Sequence, residues 1–202
     1  HQLLMNEAQG EIVCYLCDRD LYLENHVDVF HRALQNLDFA QSLFVRLCKN
    51  GDLENVATIF AHEPANKRAA SIRAGAAFSC PLPMAAHRLD AYKKLPHGWR
   101  TTPSGKGTDS YMWRQFLEQP WVRSGTIWIP TVVYMKRGPH PGLPTRERVL
   151  ESERYFERYL SEHGLEQFMS DFNWFGVFRN QQQADGKGTG SPLKRLRRTF
   201  GL

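Results

Sequence analysis

The chain has no apolar run long enough to cross a bilayer. Its longest, residues 126–135, falls short of the roughly 18 residues a spanning helix needs and is interrupted by Pro130. A soluble or peripheral protein is expected. Cysteine is sparse, four in 202 residues, which argues against a disulfide-stapled secreted scaffold and for reduced thiols in a cytosol. The chain opens on His1 with no charged-then-apolar leader, so no secretory signal is expected and its natural beginning is expected to lie further upstream. No internal repeat is evident, and Ser104-Gly105-Lys106-Gly107 lacks the spacing and the preceding strand of a Walker phosphate loop. An excess of one charge sign is missing from most of the chain as well. Residues 181–202 hold five basic side chains against one acidic, which is +4 of the formal +5, so residues 1–180 are nearly neutral. That balance leaves no basic face of the kind a dedicated nucleic-acid domain carries. The 42% hydrophobic and 12% aromatic content suffices for one core and excludes disorder of the whole chain.

Apolar periodicity orders the chain as strands alternating with helices. A short strand is predicted within residues 10–17, ending at the charged triplet Asp18-Arg19-Asp20. Val27, Phe30, His31, Leu34 and Leu37 recur at helical spacing with Asn25 as N-cap, which puts His31 on the core side. Residues 40–47 read as a strand, and Asn50-Gly51 is a hairpin signal pairing it with a strand over residues 53–60. Pro64 and Gly75 bracket a helix at 65–74, a helix is predicted at 88–95, and 98–107 form a Gly/Pro/Ser/Thr loop. Residues 110–119 read as a helix opened by Asp109, 124–134 as a strand, and 145–162 as a helix with Val149, Phe156 and Leu160 on its apolar face. Such alternation predicts an α/β layered domain.

Two constellations carry chemistry. Asp18 and Asp20, two residues apart at a strand end, can converge on a hard divalent ion such as Mg²⁺ or Mn²⁺ and through it on a diphosphate; the same spacing is also common on solvated turns. Asp109, at the start of a helix, suits a general base or an N-cap, two roles that compete because capping bonds lower basicity. Cys14 and Cys17 have the C-x-x-C spacing of a metal or redox pair, but on a strand that offset sends them to opposite faces, which favours a buried structural role. Trp99, Tyr111, Trp113 and Trp121 can supply a platform for a sugar ring, although helical spacing puts Trp113 and Phe116 toward the core. His87 reads either as a hydrogen-bonded structural histidine or as a substrate contact.

The stretch Glu7-Ala-Gln-Gly-Glu-Ile-Val-Cys-Tyr-Leu-Cys-Asp-Arg-Asp-Leu-Tyr22 resembles the middle of family 2 glycosyltransferases. There an Ala-x-Gly-Glu lead runs into a strand, an acidic cluster and a Leu-Trp dipeptide, whose Trp is Tyr22 here. Ala86-His87-Arg88-Leu89-Asp90, then Gly98-Trp99-Arg100, then Thr108-Asp109-Ser110-Tyr111-Met112-Trp113 are similar to that family's acceptor-side half, in the same order. The resemblance covers residues 4–159 and implies a GT-A-like mixed sheet flanked by helices, N-terminally incomplete because the nucleotide-binding βα unit would precede residue 1. It divides the chain into a glycosyltransferase portion at 1–165, an extension at 166–180 and a basic tail at 181–202. It implies an inverting enzyme that moves a sugar from a nucleotide-diphosphate-sugar to a saccharide or lipid-linked acceptor. Asp109 would be the catalytic base, Asp18, Arg19 and Asp20 would bind donor, Asp18 and Asp20 would hold Mg²⁺ or Mn²⁺, and His87, Arg88, Trp99 and Trp113 would meet the acceptor. The family usually has an acid where this chain has Arg19. Either Asp18 and Asp20 suffice, or Arg19 gives the diphosphate part of the charge a metal would give, or the site is inactive; activity of this partial chain is expected to be weak.

Residues 181–192 form a Gln- and Gly-rich linker to Leu193-Lys-Arg-Leu-Arg-Arg-Thr-Phe200, which reads as a solvated end or as an amphipathic basic helix touching anionic lipid. A cytoplasmic enzyme, peripheral at the inner membrane face, fits the second. The alternative to an enzyme is a basic interaction module binding acidic lipid or nucleic acid through this tail.

Overall fold

The computed structural model describes residues 2–48, 51–55, 80–135 and 142–173. The predicted helix at 65–74, the second half of the strand at 53–60 and the tail at 181–202 lie outside the described residues, as does Asn50.

The described chain is α/β, with a mixed, open sheet flanked by helices. Helix α1 (Gln2–Glu7) precedes strand β1 (Ile12–Cys14), and β2 (Leu21–Tyr22) leads into α2 (His26–Ala33). Then come β3 (Phe39–Leu47), β4 (Leu53–Asn55), β5 (Ala85–Arg88) after a single 3-10 turn at Leu82–Met84, α3 (Leu89–Lys93), α4 (Thr108–Leu117), β6 (Ser124–Tyr134), α5 (Thr145–Tyr159) and α6 (Gly164–Asp171). The strand order is β1-β5-β3-β6-β2, with β4 on β3. β3 and β6 are parallel and form the centre; every other pairing is antiparallel. β5 pairs with the first residues of β3 and β4 with its last, so both share the edge of β3 that β6 leaves open.

The centre is built from residues that favour a pleated, buried surface. Phe39, Ala40, Val45, Val132 and Val133 have no exposed surface. Register between β3 and β6 slips at Ser42/Leu43 and again at Leu43/Val45, where β6 carries extra residues around Pro130. Proline has no N–H for the ladder, so an irregularity there is where a strand can hold it. The backbone carbonyls freed at this bulge are taken from α2's side: the Asn25 amide donates to the Pro130 carbonyl (3.4 Å) and the Leu23 N–H to that of Thr131 (3.0 Å). Asn25 therefore tethers the helix to β6 instead of capping it with its side chain, as its sequence position suggested.

Two faces differ from expectation. On α2 the buried residues are His26, Val29 and Phe30, while His31 is exposed toward Glu11 and Val27 is 55% exposed. The buried stripe is thus turned by one residue from the predicted one, because His26 finds partners at the bulge: its Nδ1 lies 3.0 Å from the Thr131 hydroxyl and its ring stacks on Tyr22. On α5 the predicted apolar residues Val149 and Leu160 are exposed, and the helix instead buries Tyr159 and Glu151. Tyr159 packs edge-on against Phe168 of α6, in one cluster with Leu21, Val45, Val133 and Met135. Helix α6 therefore shares the core of what precedes it.

The opposite cluster is aromatic, with Tyr15, Phe39, Trp99, Trp113 and Phe116 in contact across β1, β3, the 98–107 loop and α4. Burying Trp113 and Phe116 completely contributes on the order of 2–3 kcal/mol apiece. Gly98 fixes the loop: its φ is +63°, a side chain there would land on the Tyr92 hydroxyl, and that hydroxyl accepts the Trp99 N–H (2.9 Å).

Candidate active site

The acidic turn follows β1. The Asp20 N–H reaches back to the Cys17 carbonyl (3.3 Å), which turns the chain through Asp18 and Arg19 and leaves both side chains in solvent. Arg19 Nε donates to Asp18 Oδ1 at 3.2 Å. Asp20 points the other way. It is 7% exposed, and its Oδ1 accepts the N–H of Met135 at 2.9 Å, just past the end of β6. Burial, the largest influence, holds its carboxyl above the ordinary range, against the lowering effect of the Met135 N–H and of a hydrogen bond from the Cys17 thiol.

Asp109 is the second residue of α4, behind Thr108 and the flanking Gly107. It is not the cap of its own helix: its Oδ2 accepts the N–H of Leu82 (3.1 Å), tying α4 to the segment that enters β5. Trp113, one turn on, donates its Nε1–H to the Cys80 carbonyl (3.0 Å) of that same segment. Among the described residues Oδ1 of Asp109 takes no hydrogen bond from the protein. Burial raises this carboxyl as well, partly offset by the Leu82 N–H.

The charges of the two constellations bear on common groups. Cys17 is pushed up to about 11, first by burial and then by the charges of Asp20, Asp109 and Asp18. Tyr134, at the end of β6, is raised by burial and by the charges of Asp20 and Asp109. Asp20 and Asp109, distant in sequence, therefore act on the same thiol and the same phenol. Tyr134 is a member of this neighbourhood that no sequence pattern marked, its only signal being that it ends a strand-like run beside a charged loop; Cys17 is marked only by its C-x-x-C spacing with Cys14, which says nothing of Asp109. Cys14, also pushed up to about 11 by burial, is an unreactive thiol, in keeping with a structural role.

The predicted acceptor residues are placed elsewhere. His87 has no exposed surface: its Nδ1–H donates to the Arg88 carbonyl (2.9 Å), its Nε2 accepts the Tyr15 hydroxyl (2.7 Å), and burial lowers it to about 4, so the ring is neutral. Trp99 donates its Nε1–H to the Tyr15 oxygen (3.0 Å) and is 6% exposed; Trp113 is wholly buried. These three residues are a buried hydrogen-bonded core, with no ring face open to a sugar. Arg88 pairs with Asp90 through two bonds of 2.8 and 3.0 Å and lines a different cleft with Gly10, Glu11 and Leu34. Of the residues that the acceptor-side match marked, His87, Trp99 and Trp113 are taken up in packing, while Arg88 stays at a cleft.

The donor set fits only a sparse metal site. Among the described residues no three His, Cys, Asp or Glu side chains are grouped to hold an ion. Asp20 is committed to Met135 and Cys17, so Asp18 alone has a carboxylate free to face solvent. Mg²⁺ bound mainly by substrate phosphates needs about one or two carboxylates, and Asp18 can be one.

A cleft of about 320 Å³ opens beside the turn, lined by Asp18 and Arg19 on one side and by Thr145, Arg148, Val149, Ser152 and Phe156 of α5 on the other. Among the described residues no helix is long and apolar enough to cross a membrane. No protein-family model and no curated protein matches the chain.

Proposed function

We propose that the chain is the acidic-turn and acceptor-side part of a GT-A-like glycosyltransferase of the family 2 type, transferring a sugar from a nucleotide-diphosphate-sugar to an acceptor hydroxyl with inversion. The observation that carries this reading is Asp109. It is held by another segment's N–H instead of its own helix's, has its carboxyl raised by burial, keeps Oδ1 free of protein donors among the described residues, and lends its charge to Cys17 and Tyr134 as the Asp18–Asp20 turn does.

In this reading Oδ1 of Asp109 takes the proton of the acceptor hydroxyl as its oxygen bonds to the anomeric carbon and the bond from that carbon to the diphosphate oxygen breaks. The electron pair of that bond leaves with the nucleotide diphosphate. A raised carboxyl is the better base for this step, and the Leu82 N–H on Oδ2 fixes which oxygen faces the acceptor. A bound Mg²⁺ or Mn²⁺ would supply charge to the leaving diphosphate, with Asp18 as its protein ligand; Arg19, exposed beside it, supplies fixed charge to the same group. Asp20 holds the turn in place. The acceptor is a saccharide or a lipid-linked saccharide, met by surfaces other than His87, Trp99 and Trp113.

The test is a panel of nucleotide sugars and acceptors assayed on the full-length protein. Asn at 109 keeps an oxygen for the Leu82 N–H, so the fold is retained. Asp109→Asn is expected to lower kcat by roughly 10²–10⁴-fold with donor affinity unchanged, and the acid limb of the wild-type profile is expected above the ordinary carboxylate pKa. Full turnover in Asp109→Asn would reject the assignment.

A further inference from the structure

The cleft beside the acidic turn has a second wall to which the resemblance assigns no site residue. Thr145, Arg148, Val149, Ser152 and Phe156 recur on one stripe of α5, and that stripe faces Asp18 and Arg19. Arg148 is held in position from behind: its Nε donates to the Leu143 carbonyl (3.1 Å) and one Nη to the Thr145 hydroxyl (3.1 Å). Both partners are neutral oxygens, so among the described residues its charge is oriented without being cancelled. Ser152 donates to the Arg148 carbonyl (2.9 Å), which further fixes this turn of the helix. Across the cleft, among the described residues, Arg19 uses only Nε on Asp18. Among the described residues the cleft thus presents two guanidiniums against one carboxylate, beside an apolar wall in which Val149 is 52% exposed.

We propose that this cleft binds the phosphate or diphosphate group of a substrate, gripped between Arg19 and Arg148, with Val149 and Phe156 packing the adjoining non-ionic part. Guanidinium forks match phosphate oxygens in geometry as well as charge, and a fork already oriented by neutral partners loses little freedom on binding. The volume lies at the lower end of the roughly 300–1,000 Å³ of small-molecule sites. This proposal deepens the glycosyltransferase reading, on which the word substrate rests. It places Arg148, a residue of α5, at the phosphate. Two sources share that chemistry, the diphosphate of a nucleotide-sugar donor and the phosphate of a lipid-linked acceptor.

The experiment is calorimetric titration of the full-length protein with inorganic pyrophosphate, with UDP, and with a short-chain prenyl phosphate in detergent micelles. Arg148→Gln and Arg19→Gln are each expected to weaken binding by about tenfold or more, and Arg148→Lys to recover part of the loss. Tighter Arg148-dependent binding of UDP assigns the cleft to the donor, of the prenyl phosphate to the acceptor. Wild-type affinity for all three probes in Arg148→Gln, or no binding of any of them by the wild type, overturns the proposal. Arg19 sits on an exposed turn, so its variant keeps the test decisive should Arg148→Gln fail to fold. The two readings fail separately. Loss of turnover in Asp109→Asn with pyrophosphate binding indifferent to Arg148 sinks the cleft alone, whereas full turnover in Asp109→Asn with Arg148-dependent binding sinks the base assignment alone.

Discussion

Among the described residues His87 and His26 are the histidines that the fold removes from water, each as a neutral ring, His87 bonded through both nitrogens and His26 through Nδ1 with its Nε2 left without a partner. His87 spans from the Arg88 carbonyl to the Tyr15 hydroxyl, and His26 rests on Thr131 with its face on Tyr22. Burial lowers both from 6.5 to about 4. A histidine whose folded pKa lies below its unfolded one binds more protons when unfolded, so stability is lost as pH falls from about 6.5 toward 4. Asp20 and Asp109 act with the opposite sign. Their folded pKa values are raised, the folded state holds the extra proton, and their contribution declines as pH rises through the window just above the ordinary 3.8. Between pH 7 and 5 the histidines dominate, and each is expected to cost on the order of 1–2 kcal/mol. The urea midpoint is therefore expected to fall from pH 7 to pH 5, and the fall to be smaller in His87→Gln, whatever that variant's stability at pH 7. A wild-type midpoint that does not move between these pH values would show that neither ring is held neutral.

Asp20 belongs to the junction of elements, since its carboxylate joins the turn before β2 to the end of β6. Replacing it by Ala leaves the Met135 N–H, in a residue 1% exposed, without a partner, and is expected to destabilise by about 1–3 kcal/mol. Asp20→Asn keeps an oxygen there and is expected to recover most of that loss. Chemical denaturation of the two variants checks this, and wild-type stability in Asp20→Ala would mean that the latch is idle. The same contact marks how far the sequence could be read. β3, α4 and β6 are legible to within two residues because long periodic runs end at turn residues, Asn50-Gly51, Gly107 and Pro120 among them. The faces of α2 and α5 were less so. One residue of rotation on α2 exchanges His31 for His26, and what decides between them is the carbonyl-rich bulge at Pro130, far along the chain. Asp18, Asp20 and Asp109 could be picked by residue type and spacing. That Asp20 faces inward and Asp109 bonds Leu82 could not, because both partners are backbone N–H groups supplied by other elements. His87, Trp99 and Trp113 looked like ligand contacts for a related reason: a Trp–Tyr–His chain of buried hydrogen bonds uses the residue types that also bind sugars.

For the whole molecule the decisive quantity is how its charge is distributed. The formal +5 is carried almost entirely by residues 181–202, and residues 1–180 are close to neutral, so long-range attraction to a polyanion acts on the tail and local electrostatics act at the cleft. The two are separable by salt and by mutation. Lys194, Arg195, Arg197 and Arg198 near an anionic surface contribute roughly 1 kcal/mol each at most, enough for weak, reversible association and too little for stable anchoring. The full chain is accordingly expected to cosediment with vesicles containing anionic lipid at low ionic strength, and to be released as the Debye length contracts from about 30 Å at 0.01 M salt to about 8 Å at 0.15 M. Replacing the four residues by Gln is expected to abolish that cosedimentation while leaving nucleotide-sugar turnover on a soluble acceptor unchanged. Loss of turnover together with vesicle binding would favour the tail over the Asp18–Asp109 neighbourhood as the working part of the molecule. Vesicle binding that survives the four substitutions would instead place the lipid contact on residues 1–180, where the exposed Val149 and the guanidinium of Arg148 are the first positions to mutate.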